Sequence, residues 1–377
     1  RGHAVAGRGR GAAVKPVARR AGLVAGAAGL VAAGAAVGLA AERYAIGRIR
    51  RGPDPESDEP FGRLPADRSR TVTTGDGVPL SVEEVGPADA PLTVIFVHGY
   101  TLAMGSWHYQ RRGLADMRNP RLRMVFYDQR SHGRSGHGPA DSASIEQLGR
   151  DLDVVLNELA PTGPVVLVGH SMGGMTVMAL VEAHPEYFGP RVVGVALLST
   201  STGRLAEVSL GLPAALAKLR APILPLLLRG MRSRAALIER GRRVGSDIAW
   251  LLTRRYSFGS PDVSPALVEY VGGMIAATPV DVIADFYPAL NNHDKLDALG
   301  HLRTVETLIV VGERDLLTPL AHSQGMAAEL PSAELLVVSG AGHLAMMERP
   351  TAVNLRLRTF LHRAARGSGR PSSRRKA

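Results

Sequence analysis

Three residues far apart in the chain have the types and the order that could activate a hydroxyl nucleophile: Ser171, Asp315 and His343. Ser171 sits in Pro164-Val165-Val166-Leu167-Val168-Gly169-His170-Ser171-Met172-Gly173-Gly174, an apolar run followed by Gly-x-Ser-x-Gly. A serine hydroxyl is a weak nucleophile until a base takes its proton. A histidine at 343 could take that proton and return it to a leaving group. An aspartate at 315 could hold the imidazole tautomer and stabilise the cation. A tight strand-to-helix turn would lift the hydroxyl clear of a sheet and set the first helical N–H groups beside it. Gly169 and Gly173 fit such a turn, because side chains there would meet the neighbouring strand and helix. Alone, the pentapeptide is an ordinary glycine-rich connection. It gains meaning because Asp315 and His343 each follow their own apolar run, 306–311 and 334–339.

Two further stretches bear on the same chemistry. The run 92–97 ends in His98-Gly99-Tyr100, which would bring backbone to the carboxyl edge of a sheet. The backbone N–H groups of Tyr100 and Met172 are the expected oxyanion donors, each worth roughly 3–4 kcal/mol of transition-state stabilisation. A plain turn with a buried structural histidine is the other reading of His98. Asp128 and His132 lie four residues apart on a glycine-rich loop and precede the serine. They are expected to organise that loop, Asp128 by accepting from loop N–H groups and Arg130 by tying the loop down.

The elements that must position these residues follow from the alternation of apolar runs with amphipathic stretches. Strands are predicted over 92–97, 122–127, 164–169, 191–198, 306–311 and 334–339, and helices over 104–118, 144–160, 172–184, 319–330 and 350–365. That rhythm indicates a mostly parallel sheet with helices on both faces. A hairpin around Gly75-Asp76-Gly77 opens the domain near Thr71. Between Ser199 and Leu296, Leu/Ala/Arg-rich helical stretches replace strands, which predicts an inserted helical cap.

From about Thr71 to Arg363 the chain resembles the α/β-hydrolase superfamily, in its cap-bearing serine esterase and lipase-like branch. The matching pieces are His98-Gly99, Asp128-x-Arg130-x-His132-Gly133-x-Ser135, Gly169-His170-Ser171-Met172-Gly173-Gly174, Gly312-x-x-Asp315-x-x-x-Pro319 and Gly342-His343-x-x-x-x-Glu348-x-Pro350. The resemblance implies the α/β-hydrolase fold and a Ser171–His343–Asp315 triad without metal or organic cofactor. It further implies cleavage of a carboxylic ester, lipophilic or monoacylglycerol-like, through an acyl-enzyme. Serine at 171 disfavours the relatives that use an aspartate nucleophile. Two alternatives stay open: cofactor-free haloperoxidase, perhydrolase or carbon–carbon bond hydrolase chemistry on the same triad, and a non-catalytic, membrane-tethered binding protein on the same scaffold.

Length and composition frame the rest. The 377 residues suit one large domain with an insertion and appendages, and the absence of cysteine excludes disulfides and a thiolate nucleophile. The net charge of +11 is concentrated in residues 1–51, 204–258 and 363–377, which leaves the remainder acidic. Basicity that lies in two tails and one internal segment, and not in a stripe on the folded core, argues against a nucleic-acid partner. Residues 21–41 are uncharged, Ala/Gly-rich and about as long as a bilayer-crossing helix. They read as a membrane anchor, a cleaved export signal or a low-complexity tail, which leaves localisation membrane-anchored, exported or cytoplasmic. The expected organisation is a basic disordered tail over 1–20, the apolar segment 21–41 and a proline-rich linker over 42–70. Core 71–202, cap 203–296, core 297–365 and a second basic tail over 366–377 follow. The basic cap is expected to rest on lipid or to be an ordinary amphipathic lid.

Overall fold

The computed structural model describes residues 54–211 and 247–367, with the single positions Gly47 and Gly230. The chain forms two units, Arg1–Asp54 and Pro55–Ala377, and the architecture below is that of the second. The segments expected as tails and as the apolar 21–41 stretch, and cap residues 212–229 and 231–246, lie outside the described residues. Among the described residues no single helix is long and apolar enough to cross a membrane.

The strands are β1 (Arg68–Thr73), β2 (Pro79–Val85), β3 (Leu92–Val97), β4 (Leu122–Tyr127), β5 (Val165–His170), β6 (Val192–Leu198), β7 (Glu306–Gly312) and β8 (Glu334–Val338). They form one sheet in the order β1-β2-β4-β3-β5-β6-β7-β8. Only the β1 and β2 pairings are antiparallel. β3, β5 and β6 are buried along their whole length, as expected for parallel strands covered on both faces. The described helices are α1 (His108–Leu114), α2 (Ile145–Leu159), α3 (Met172–Ala183), α4 (Asp247–Ser257), α5 (Pro265–Ala277), α6 (Val280–Asn291), α7 (Leu320–Glu329), α8 (Ala345–Glu348) and α9 (Pro350–Gly367).

Alternate strand residues serve opposite layers. Ile95 and Val97 of β3 join a core with Leu152 and Leu156 of α2, Val177 and Val181 of α3 and Met326 of α7. Phe96 points the other way, stacking on Phe126 at 4.7 Å and meeting Trp107 at 5.2 Å. On that second face a methyl at Gly194 of β6 would touch Phe360 and Ala364 of α9 at 3.0 Å. The order reverses between β3 and β5, so their carboxyl ends flank the crevice where open α/β sheets hold ligands.

Between β6 and β7 the chain leaves the sheet, and the region expected as a cap contains α4, α5 and α6. Its two ends meet: Gly203 bridges Asp294, and the Lys295 N–H donates to the Thr202 carbonyl at 2.7 Å. Lys295 Nζ then pairs with Glu146 of α2 and Glu182 of α3 at 2.9 and 2.8 Å.

One expectation is corrected. The proline-rich stretch read as a linker up to residue 70 is packed against the domain from Glu56 onward. Glu56 accepts from Tyr109 Oη at 2.7 Å, Glu59 accepts from His108 and Arg112, and Phe61 stacks on Tyr270 at 4.8 Å. Proline and glycine spacing reports the lack of regular secondary structure, and it is silent about side-chain contacts.

Candidate active site

Ser171 stands between β5 and α3 with φ 52° and ψ −119°, a conformation that non-glycine residues rarely adopt. The strain is held by close packing. A Cβ at Gly173 would fall 2.0 Å from the Val97 carbonyl oxygen, and one at Gly169 would lie 2.6 Å from the Gly173 oxygen. A Cβ at Gly174 would meet the Thr200 hydroxyl at 2.6 Å. No larger residue fits these three positions without moving backbone. The Ser171 N–H donates to Leu198 O at 2.9 Å, and its carbonyl accepts from Thr200 Oγ1 at 2.7 Å.

Asp315 leaves the sheet just beyond β7 and is 5 % exposed. Its Oδ1 accepts from the Leu317 and Thr318 N–H groups, both at 2.9 Å, and its Oδ2 accepts from Thr318 Oγ1 at 2.8 Å. His343, beyond β8, brings Nδ1 to 2.9 Å from Oδ2 and 3.1 Å from Oδ1. Burial pushes the Asp315 carboxyl upward, but the charge and hydrogen bond of His343, with the Thr318 donors, hold it below its ordinary range. The His343 loop is fixed through Glu348, whose carboxylate accepts from the N–H groups of Gly342 at 2.7 Å, Gly259 at 3.0 Å and Ser260 at 2.5 Å.

His170 joins the serine turn to the histidine loop. Its Nε2 lies 3.1 Å from the His343 carbonyl, and the two rings are 4.8 Å apart. No hydrogen bond connects Ser171 Oγ to His343 in this structure, a contact that often tightens only with substrate bound. The loop after β3 closes the other side: a Cβ at Gly99 would lie 3.2 Å from Ser171 Cβ and 2.7 Å from His170 Nδ1. The Tyr100 and Met172 N–H groups, just beyond β3 and β5, donate to no backbone carbonyl among the described residues. Tyr100 Oη reaches over to the Ile283 carbonyl of α6 at 2.5 Å. Around it, Met172, Met175, Val282 and Phe286 seat α6 on the start of α3.

The Asp128 loop is built differently. Asp128 accepts from the N–H groups of Met104 at 2.7 Å and Arg134 at 2.9 Å. Gly133, at φ +55°, leaves no room for a Cβ beside that carboxylate. Arg130 forks onto Asp151 at 2.5 and 2.6 Å and reaches Asp76 at 2.8 Å. Burial lowers His98 to about 4 and both His132 and His170 to about 3. These three are neutral and weakly basic at ordinary pH, poor choices for a general base. Among the described residues no group of three or more His, Asp or Glu could hold a metal ion.

The profile of the α/β-hydrolase fold family matches residues 93–350, which includes Ser171, Asp315 and His343. The chain belongs to this family. Among curated relatives, a Mycobacterium tuberculosis protein named probable oxidoreductase EphD is 34% identical over 110 residues, 29% of this chain and 18% of the relative. The bifunctional esterase/perhydrolase DCH of Acinetobacter calcoaceticus is 35% identical over 115 residues, 30% of this chain and 40% of the relative. The chain thus spans less than half the length of these relatives. Among solved structures, a thermophilic esterase from Thermogutta terrifontis is similar with a TM-score of 0.60 and 26% identity, covering 79% of this chain and 99% of the other.

Sequence reasoning had not assigned roles to Glu348, His170, Gln129 or Thr318. Glu348 belonged to the matched motif Gly342-His343-x-x-x-x-Glu348, so its spacing from His343 was the available signal.

Proposed function

We propose that this chain is a serine hydrolase acting on carboxylic esters of lipophilic small molecules. The observation that carries the reading is the buried Asp315–His343 pair at 2.9 Å, joined through His170 to a serine held at positive φ. In this reading the Ser171 proton passes to His343 Nε2 as Oγ attacks the ester carbonyl. The Tyr100 and Met172 N–H groups take the charge that develops on the carbonyl oxygen. The tetrahedral adduct expels the alcohol, which leaves with the proton from His343. A water then gives a proton to the same nitrogen as its oxygen attacks the acyl carbon, and His343 returns that proton to Ser171 Oγ as the acid leaves. Asp315 keeps Nδ1 protonated throughout. The similarity to esterases supports this substrate class.

The relative named esterase/perhydrolase favours a second reading of the same site, in which peroxide replaces water and the acyl-enzyme yields a peracid. Placement at a membrane surface, through residues 21–41 and the basic cap, is part of the proposal. Ser171→Ala should abolish cleavage of short p-nitrophenyl esters and labelling by a fluorophosphonate. Full retained turnover in that variant would overturn the mechanism. Parallel assays with and without peroxide separate the two readings.

A further inference from the structure

Gln129, directly after Asp128 at the end of β4, is buried at 1 % exposure, and its backbone N–H and C=O and both side-chain polar atoms all take part in hydrogen bonds, the carbonyl accepting from the His132 N–H at 3.0 Å. Its backbone N–H donates to His98 Nε2 at 2.9 Å, and its side-chain Nε2 donates to the His98 carbonyl at 2.7 Å. Its Oε1 accepts from Thr176 Oγ1 at 2.7 Å. His98 precedes Gly99-Tyr100, and Thr176 stands one turn beyond Met172, whose carbonyl lies 3.0 Å from the same hydroxyl. A single amide therefore spans from the loop carrying one expected oxyanion donor to the helix turn carrying the other.

We propose that Gln129 is a positioning residue that sets the separation of the Tyr100 and Met172 N–H groups. The inference rests on the reading of Ser171 as nucleophile. Accepting at Nε2 requires His98 to carry its proton on Nδ1, which lies 2.8 Å from the Gly99 carbonyl. The ring is thereby fixed as one neutral tautomer and braces the donor loop from below. The fall of His98 to about 4 on burial agrees with a permanently neutral ring. At neutral pH only a primary amide supplies a donor to His98 and an acceptor to Thr176 at this length. A carboxylate would face the His98 carbonyl with repulsion, and a thioether would leave both partners unpaired.

The test uses Gln129→Glu, Gln129→Met and, as a milder cut at the far end, Thr176→Val in the full chain. Turnover of p-nitrophenyl butyrate is normalised to fluorophosphonate-labelled protein. The expected result for Gln129→Met is a fall in kcat of about 10- to 100-fold with KM within about twofold, since a small misplacement of donors acts on the transition state. Gln129→Glu should recover relative to wild type as pH falls, because a protonated carboxyl again donates and accepts. A purely structural role would leave kcat per labelled molecule unchanged and the variant-to-wild-type ratio flat with pH, and that outcome overturns the proposal. Amide hydrogen exchange without substrate gives an independent arm. Peptides covering 98–104 and 171–177 should exchange faster in Gln129→Met and Thr176→Val, and unchanged exchange refutes the linkage even if no ester is ever found to be cleaved. Loss of ester turnover and labelling in the wild type would instead sink the reading of Ser171, while the exchange result still decides the role of Gln129.

Discussion

Replacing Asp315 by Asn removes one charge and almost no volume, so its consequences can be followed atom by atom. The backbone N–H groups of Leu317 and Thr318 both donate to Oδ1, which fixes that position as an acceptor. In the variant the amide oxygen must therefore occupy Oδ1, and the NH2 group takes the Oδ2 position, 2.9 Å from His343 Nδ1. Two donors cannot face one another. His343 moves its proton to Nε2, the nitrogen that has to accept from Ser171. The expected loss in kcat is about 10⁴-fold, or about 5.4 kcal/mol, the effect of enforcing the wrong tautomer in a triad. Stability changes with a definite sign. The folded pKa of Asp315 lies below the ordinary carboxylate value, so its contribution is present above that range and is lost as pH falls through the folded pKa. The Tm deficit of Asp315→Asn relative to wild type should shrink from pH 7 towards pH 3. Stopped-flow ester hydrolysis and the rate of fluorophosphonate labelling follow the first effect, and calorimetry across that window follows the second. A variant within tenfold of wild-type kcat would refute the assignment of Asp315 as the orienting acid.

Other perturbations have equally direct outcomes. Gly173→Ala places a methyl 2.0 Å from the Val97 oxygen and 2.7 Å from the His98 oxygen, and should cost about 3 kcal/mol or prevent folding, measured by urea denaturation. Glu348→Ala leaves the buried N–H of Gly342 and the half-buried N–H groups of Gly259 and Ser260 without their acceptor. It should lose about 3 kcal/mol and lower kcat by loosening the His343 loop, a pairing that chemical denaturation and steady-state kinetics would test. Phe61→Ala removes the ring stacked at 4.8 Å on Tyr270 and packed at 5.0 Å on His108. A drop of about 2 kcal/mol in stability is expected, and an unchanged Tm would show that the segment does not hold the domain.

Much of the fold was legible because strong periodicity leaves few choices. The β3 run Leu92–Val97 and the β4 run Leu122–Tyr127 occupy the positions read from their mostly apolar character. Helix starts were readable too, as where Ser144 caps α2 by accepting from the Gln147 N–H at 3.1 Å. The placement of Asp315 beside His343 was readable only in part. Order along the chain puts both residues at the carboxyl edge, while their pairing depends on the Gly312 and Gly342 backbones nearly touching. Roles that depend on three-dimensional neighbours were invisible. Gln129 reaches across to Thr176, 47 residues away in sequence, and no local pattern encodes that contact. Phe61 sat alone among prolines and acids, so its partner on α5 could not be inferred from spacing.

The joined ends of the segment between β6 and β7 have a consequence for how such a chain can be changed. Because Gly203 meets Asp294 and Lys295 bonds Thr202, the rim of the sheet is the same however much polypeptide hangs from it. The two attachment points behave as a socket. A replacement that begins and finishes at that pair keeps Lys295 between Glu146 and Glu182, but it must also supply the acceptor that Ile283 gives Tyr100 and the N–H groups by which Gly259 and Ser260 hold Glu348.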